Sequence, residues 1–491
     1  MKASYILLFF ILSVAANAQT QLSWSIPIAV ANTDFGFYRP HIALSENEFP
    51  VVLWGNGATA AIYVSQWQPA GFTTPTRVNP EGTEAFTSNW AGPDFAATDT
   101  GLFVVYKQLP EETSNLWIAH SYNNGQSFLP PIDVDAQGFV SRFPTVTIDI
   151  NGNPLVGFMK FDSGWDNPRW AVTRSADAGF TFLPDVPAGD YSGGEACDCC
   201  PGNIVMHGNT VAMQYRDNLD NLREMWTGIS TDGGVSFPTG AKIDDTHWII
   251  NQCPSSGPDG YIVNDTLYSV FMSKASGKNR VYYSALHLPS KTLAYSQTFT
   301  QNAANLLSQN YPRTAQRGQV TATVWEQRVN NGKQIMLACN TGNLYPMNFT
   351  LDTLAFSTNN SAFENPDVVI SDHQIHVVWQ DNLSQTVKYV VAEFEPPVIS
   401  STPAPNPSLL PIAVWQSDNG NELYITLPNS YTHSNTQIQI LNLAGNVLGT
   451  YSPNISNNTQ EISMANWASG IYVCAFYQNG KLVQSRQFIK R

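Results

Sequence analysis

Pro144-Thr-Val-Thr-Ile-Asp-Ile-Asn151-Gly152-Asn-Pro-Leu-Val-Gly-Phe158 reads as two short strands around a tight turn. β-Branched residues dominate the first side, Asn151-Gly152 suits a two-residue hairpin loop, and a second apolar run closes on an aromatic. The same offset recurs along the chain. Pro40, Pro93, Pro144, Pro201, Pro258, Pro312 and Pro366 lie 51 to 57 residues apart. Each is followed 13 or 14 residues later by an aromatic: Trp54, Tyr106, Phe158, Tyr215, Phe271, Trp325 and Trp379. Seven such units, each with room for two more strands, predict an all-β chain in which residues 19–395 form a β-propeller. Seven blades are expected, with six as the alternative. A strand at 23–30 precedes the first unit and the seventh ends after its third strand, at 387–393. The N-terminal strand is therefore expected to complete the last blade and close the ring.

The 491 residues are 43% hydrophobic, 12% aromatic and 13% charged, enough apolar surface for a large core. The net charge is −14 and no Lys/Arg run is present, which argues against nucleic acid or an anionic membrane surface as partner. Residues 1–18 read as a secretory signal: Lys2, an apolar stretch at 6–14, then Ala16-Asn17-Ala18. No later apolar run approaches the length of roughly 18 residues that spans a bilayer. The expectation is an exported chain in which disulfides are permitted. A Pro/Ser-rich linker is expected at 396–409, then a small β-sandwich at 410–491.

Three units carry a further signature between their third and fourth strands. Ser175-Ala-Asp177-Ala-Gly179-Phe-Thr-Phe182 and Ser230-Thr-Asp232-Gly-Gly234-Val-Ser-Phe237 fit S-x-D-x-G-x-x-F, and Ser121-Tyr-Asn123-Asn-Gly125-Gln-Ser-Phe128 fits with Asn for Asp. The pattern resembles the Asp-box (BNR repeat) of sialidase-like propellers, where it implies a structural turn. The segment from Ala196-Cys197-Asp-Cys199-Cys200-Pro201 to Cys253-Pro254 and Gly257-Pro258 looks like a group of exported bacterial sialidase-like propellers with a CxCC motif. That resemblance leaves the reaction open. At the other end, Ala404-Pro-Asn-Pro-Ser408, Ile440-Leu-Asn-Leu-Ala-Gly445 and Ala468-Ser-Gly-Ile-Tyr472 resemble the C-terminal sorting domain of type IX secretion. This implies export through that machinery, to the cell surface or the medium.

In a propeller, the start of each first strand and the end of each second strand share one face. Arg39, His41, Asp94, Arg142, Arg313 and Asp367 come from the first set; Lys107, Lys160, Arg216, Asp217, Lys274, Glu326, Arg328 and Asp381 come from the second. A basic excess on one face of an acidic protein points to acidic glycans, unless these charges only fasten strand ends. The sialidase resemblance implies a carboxylate clamp from Arg39, Arg216 and Arg313 or Arg328. It also implies Tyr311 with Glu326 as nucleophile and base, and Asp94 as acid. His41 with Tyr311 would instead suit a lyase acting on uronic acids. Substrate binding is thus expected at Arg39, His41, Arg142, Arg216, Arg313 and Arg328.

Cys197, Cys199, Cys200 and Cys253 fall at the same end of the channel. They predict two disulfides, with Cys253 bonded to Cys199 or Cys200, or a thiolate site for copper or zinc with His207 or His247 added, or a reactive thiol. Cys339 and Cys474 read as buried thiols. Two classes of function follow: an exported propeller that binds or cleaves acidic glycans, and a non-catalytic ligand- or metal-binding propeller built on the cysteines.

Overall fold

The computed structural model describes residues 22–98, 101–135, 140–300, 305–341 and 349–394, then 413–417, 421–426, 436–442, 446–452, 459–478 and 481–490. The expected signal at 1–18 and linker at 396–409 lie outside the described residues. The chain divides into two compact units, Met1–Pro397 and Val398–Arg491.

Among the described residues of the first unit, seven antiparallel sheets of four or five strands are formed. Their innermost strands are Tyr38–Leu44, Asp94–Thr98, Val140–Ile148, Asn203–His207, Asp259–Val263, Leu306–Arg317 and Phe363–Ile370, here blades 1 to 7. Each innermost strand packs against the next, and the seventh packs against the first. That closed cycle is a β-propeller. Ser23–Trp24 and Ile28–Ala29 pair antiparallel with Thr386–Glu393, so the N-terminal segment supplies the outer strand of blade 7.

The repeated proline has a mechanical reason. At Tyr38/His41, Arg142/Thr145, Asn310/Arg313 and Glu364/Asp367 the ladder slips by one residue. Pro lacks an N–H and fits a strand only where the ladder is interrupted, as at such a bulge. The residue before it is forced to positive φ: Arg39 at 45°, Phe143 at 52°, Tyr311 at 48° and Asn365 at 49°. These left-handed residues all stand at the rim of the axis.

The repeated aromatic fills the gap between blades. Trp54, Tyr106, Phe158, Tyr215, Phe271, Trp325 and Trp379 are at most 1% exposed. Trp379 packs with Val324, Ile335 and Leu337 of blade 6, and Trp54 with Val378 and Tyr389 of blade 7. The apolar core therefore lies in wedges between blades, which leaves the axis to polar side chains.

The three signature turns share one hydrogen-bond set. Ser175 Oγ donates to Asp177 Oδ1 at 2.7 Å and accepts from the Gly179 N–H at 2.8 Å, while Asp177 Oδ1 accepts from the Thr181 N–H at 2.8 Å. Ser230, Asp232 and Gly234 repeat it, as do Ser121, Asn123 and Gly125. Gly179 has φ +88°, and a Cβ there would fall 2.5 Å from His120 Nε2 of blade 2. Only glycine both takes that backbone and clears the neighbouring blade.

His120 and His376 are 1% and 2% exposed. Burial depresses each imidazole to about 4. Unfolded, both titrate near ~6.5. Between those values the unfolded chain binds protons that the folded chain refuses, so stability is lost as pH falls through the window and is fully present above it. We expect the thermal midpoint to drop between pH 6.5 and 4, and His120→Phe to make that drop shallower. An unchanged slope in the variant would assign the effect to other groups.

The second unit has one sheet of Ala413–Gln416, Glu422–Thr426 and Thr459–Ser463, and one of Thr436–Asn442, Val447–Tyr451, Gly470–Gln478 and Lys481–Lys490. Leu423, Ile425 and Ile462 from the first meet Ile438, Ile440, Cys474 and Phe476 from the second in one apolar cluster. Cys474 and Cys339 are both buried free thiols. No helix among the described residues is long and apolar enough to cross a membrane.

Candidate functional site

The residue after each repeated proline reaches the axis. Three of these are aspartates, and each ties its own blade to the next. Asp94 accepts the Val146 N–H at 3.1 Å and the Thr145 hydroxyl at 2.8 Å. Asp259 accepts the Thr314 N–H at 2.8 Å, and Asp367 the Ile42 N–H at 3.1 Å. Asp94, expected as a proton donor, thus has its carboxylate committed to the frame. Asp259 was not singled out from the sequence, although its place after Pro258 was the signal.

His41 and Arg313 occupy the same register in blades 1 and 6. His41 Nδ1 lies 3.2 Å from Asp367 Oδ2, and Arg313 Nη2 lies 3.3 and 3.4 Å from the two imidazole nitrogens. Arg313 Nη1 is 3.6 Å from Asp259 Oδ1. Burial and the Arg313 charge hold His41 below its usual range, so it is neutral at pH 7. Burial pushes Asp259 up to about 6 against the pull of Arg313. At Asp367 burial is outweighed by the His41 hydrogen bond and by Arg313, leaving it below the usual carboxylate range.

Two residues earlier, before the prolines and at the strained rim, stand Arg39, Tyr311 and Asn365. With His41, Arg313 and Ser255 they line a small, partly open pocket at the axis, its walls largely the prolines and glycines beside them. Arg39 is held by its N–H to Gln380 Oε1 at 3.0 Å and by Nη1 to the Trp90 carbonyl at 2.9 Å. Among the described residues it makes no ion pair. Burial and the nearby Arg313 charge bring it down to about 10. Tyr311 is pushed up by burial and by the charge of Glu326. Burial raises Glu326 to about 7, opposed by Lys333, whose Nζ is 3.2 Å from its Oε2.

The other expected clamp residues are elsewhere. Arg216 is fully buried and donates to the carbonyls of Ser256, Arg223 and Met272. Arg142 pairs with Glu111 at 2.7 Å inside a cage of Phe86, Trp90, Phe143 and Trp165. Arg328 is exposed, and no pocket residue contacts it among the described bonds. Several charges on this face act as fasteners: Lys107 donates to Ser141 of blade 3 at 3.3 Å, and Lys333 bridges Glu326 to Glu364 of blade 7 at 3.4 Å.

The four clustered cysteines do not form one four-thiolate site. Cys199 and Cys253 are disulfide-bonded, while Cys197 and Cys200 are thiols with sulfurs 3.0 Å apart. The Cys197, Cys199 and Cys200 sulfurs all lie within 4.8 Å of one another. With one of those three sulfurs in a disulfide, the donor set left for copper or zinc is two thiols, short of the three or four protein ligands usual for zinc. Neither His207 nor His247 adds a ligand to this group. His247 instead pairs with Glu224 at 2.8 Å.

Among solved structures, a protein of unknown function from Dyadobacter fermentans is similar at 11% identity and a TM-score of 0.44, over 76% of this chain and 99% of that one. The phage phi92 endosialidase is similar at 9% identity and 0.44, over 95% and 87%. A mutant of the NanB sialidase from Streptococcus pneumoniae is similar at 9% and 0.41, over 70% and 83%. No curated protein matches the chain. Residues 419–491 match the family of secretion system C-terminal sorting domains. The chain thus ends in a type IX sorting domain, the mark of proteins exported to the cell surface or secreted.

Proposed function

We propose that the propeller binds an acidic glycan at its axis, with Arg39 and Arg313 gripping a carboxylate. The observation that supports this most is the pair of half-buried guanidiniums facing one pocket, one of them without an acidic partner among the described residues. Two like charges in a low-dielectric site repel, and an incoming carboxylate relieves both at once. For cleavage we assign Tyr311 and Glu326. Tyr311 lines the pocket and Glu326 is close enough for its charge to act on the phenol, the neighbours that hydrolysis through a tyrosine nucleophile and its base requires. His41 fits the role of lyase base less well, because Asp367 and Arg313 occupy its ring nitrogens.

The test is a titration of the mature protein with oligosaccharides of uronic and sialic acids beside neutral ones. Acidic oligosaccharides should bind, and Arg39→Ala should weaken them by about tenfold or more, the usual scale for a lost charge-assisted contact of ~1.5–3 kcal/mol. Arg142→Ala should leave binding unchanged. Equal binding of neutral and acidic sugars, or an Arg39→Ala variant that binds as well as the parent, would contradict the reading.

A further inference from the structure

The Cys197–Cys200 pair has no part in the glycan pocket, yet its surroundings are built for sulfur chemistry. Cys197 follows the short strand Glu195–Ala196 and turns back through a Cys200 N–H to Cys197 carbonyl hydrogen bond of 3.1 Å. The turn is a C-x-x-C, and it brings the two sulfurs to 3.0 Å, about 1 Å beyond a covalent S–S bond. Arg223 Nη1 lies 2.8 Å from Cys197 Sγ. Arg216 is stacked on Trp248 beside the same turn, its donors on backbone carbonyls. Neither guanidinium makes an ion pair with a carboxylate among the described residues. Buried cations beside thiols favour the thiolate, which is the attacking species in disulfide exchange.

The disulfide is close at hand. Cys197 Sγ lies 3.6 Å from Cys199 Sγ, and Cys199 is bonded to the exposed Cys253. We propose that Cys197 and Cys200 are a redox-active dithiol that exchanges internally with the Cys199–Cys253 disulfide. In the first step Cys197, whose thiol donates to the Cys200 thiolate, passes its proton along that hydrogen bond and attacks Cys199 Sγ; the Cys197–Cys199 bond forms as the Cys199–Cys253 bond breaks, and Cys253 leaves as thiolate. In the second, Cys200 gives that proton up to the Cys253 thiolate, attacks Cys197 Sγ and expels Cys199 as thiolate. The proton of the original pair ends on the Cys199–Cys253 dithiol, so no outside oxidant is consumed. The buried pair then exchanges electrons with external thiols and disulfides through the exposed Cys253. Because the loop bearing Cys253 also bears Ser255, which lines the axial pocket, exchange unties one wall of that pocket.

The test equilibrates the mature protein in stepped ratios of reduced to oxidised glutathione, quenches in acid, alkylates free thiols and maps peptides without reduction. In the state with one bond among the four cysteines, both Cys199–Cys253 and Cys197–Cys200 should be found, within about tenfold of each other. Cys200→Ser should stop the exchange at Cys197–Cys199 with Cys253 alkylated; the parent protein gives the answer alone if that variant does not fold. Three results would overturn the proposal: Cys197 and Cys200 reduced in every native buffer, a Cys197–Cys200 bond that resists reduction until unfolding, or stoichiometric copper or zinc that Cys253→Ala releases.

Discussion

Arg313→Ala removes acidic-glycan binding while the propeller stays folded. Its guanidinium faces the pocket beside Arg39, and it also offsets Asp259 and shields His41. Truncating one member of a buried, hydrogen-bonded charge pair costs about 2–5 kcal/mol, or roughly 30-fold and upward in Kd. The fold survives because the tie between blades 5 and 6 runs from the Thr314 N–H to Asp259, not through the guanidinium. Without Arg313, Asp259 loses the charge that holds it down and titrates above its present value of about 6. Arg313→Lys keeps the charge but loses the two-pronged donor set, so its affinity should fall between parent and alanine. Calorimetric titration, with melting curves on the same samples, separates lost binding from lost structure.

Trp379→Ala lowers the unfolding free energy by about 3–5 kcal/mol, the scale for a fully buried aromatic. The side chain is 1% exposed in the wedge between blades 6 and 7, where it meets Val324, Ile335, Leu337 and Phe363. Its Nε1 has no partner among the described residues, so the loss is one of packing and cavity. Ile150, 89% exposed at the tip of the blade 3 hairpin, is the control. Ile150→Ala should stay within about ±0.5 kcal/mol. Urea midpoints that move equally in the two variants would mean that the wedges do not carry the stability.

The proline-to-aromatic offset was legible because each end of it answers a hard constraint. The proline marks the start of an inner strand, at a bulge in four of the seven blades, and the aromatic fills the wedge 13 or 14 residues later. Side-chain direction was harder to see. Arg216 directly follows Tyr215, and both faces of a blade are buried against neighbours, so strand alternation separates wedge from wedge but not wedge from axis. That is why Arg216 and Arg142 were grouped with Arg39 and Arg313, although only the latter two reach the pocket. Asp259 went unnoticed for the opposite reason: its register was plain, but its sign did not fit a basic clamp. The pairing of Cys199 with Cys253 could not follow from spacing, since Cys197, Cys199 and Cys200 share one turn. In the tail, Ala413–Gln416, Val447–Tyr451 and Thr459–Ser463 lack a strong apolar alternation, which leaves them the hardest of its strands to place from sequence.

The most direct measurement compares the affinity of the mature protein for a uronic-acid oligosaccharide with that for the same oligosaccharide after its carboxyl groups are reduced to alcohols. Shape, linkage and hydroxyl pattern are kept, and only the charge facing Arg39 and Arg313 is removed. The account predicts binding of the acid form and a loss of about tenfold or more on reduction. Equal affinity for the two forms would contradict it, because the paired guanidiniums would then have no carboxylate to hold.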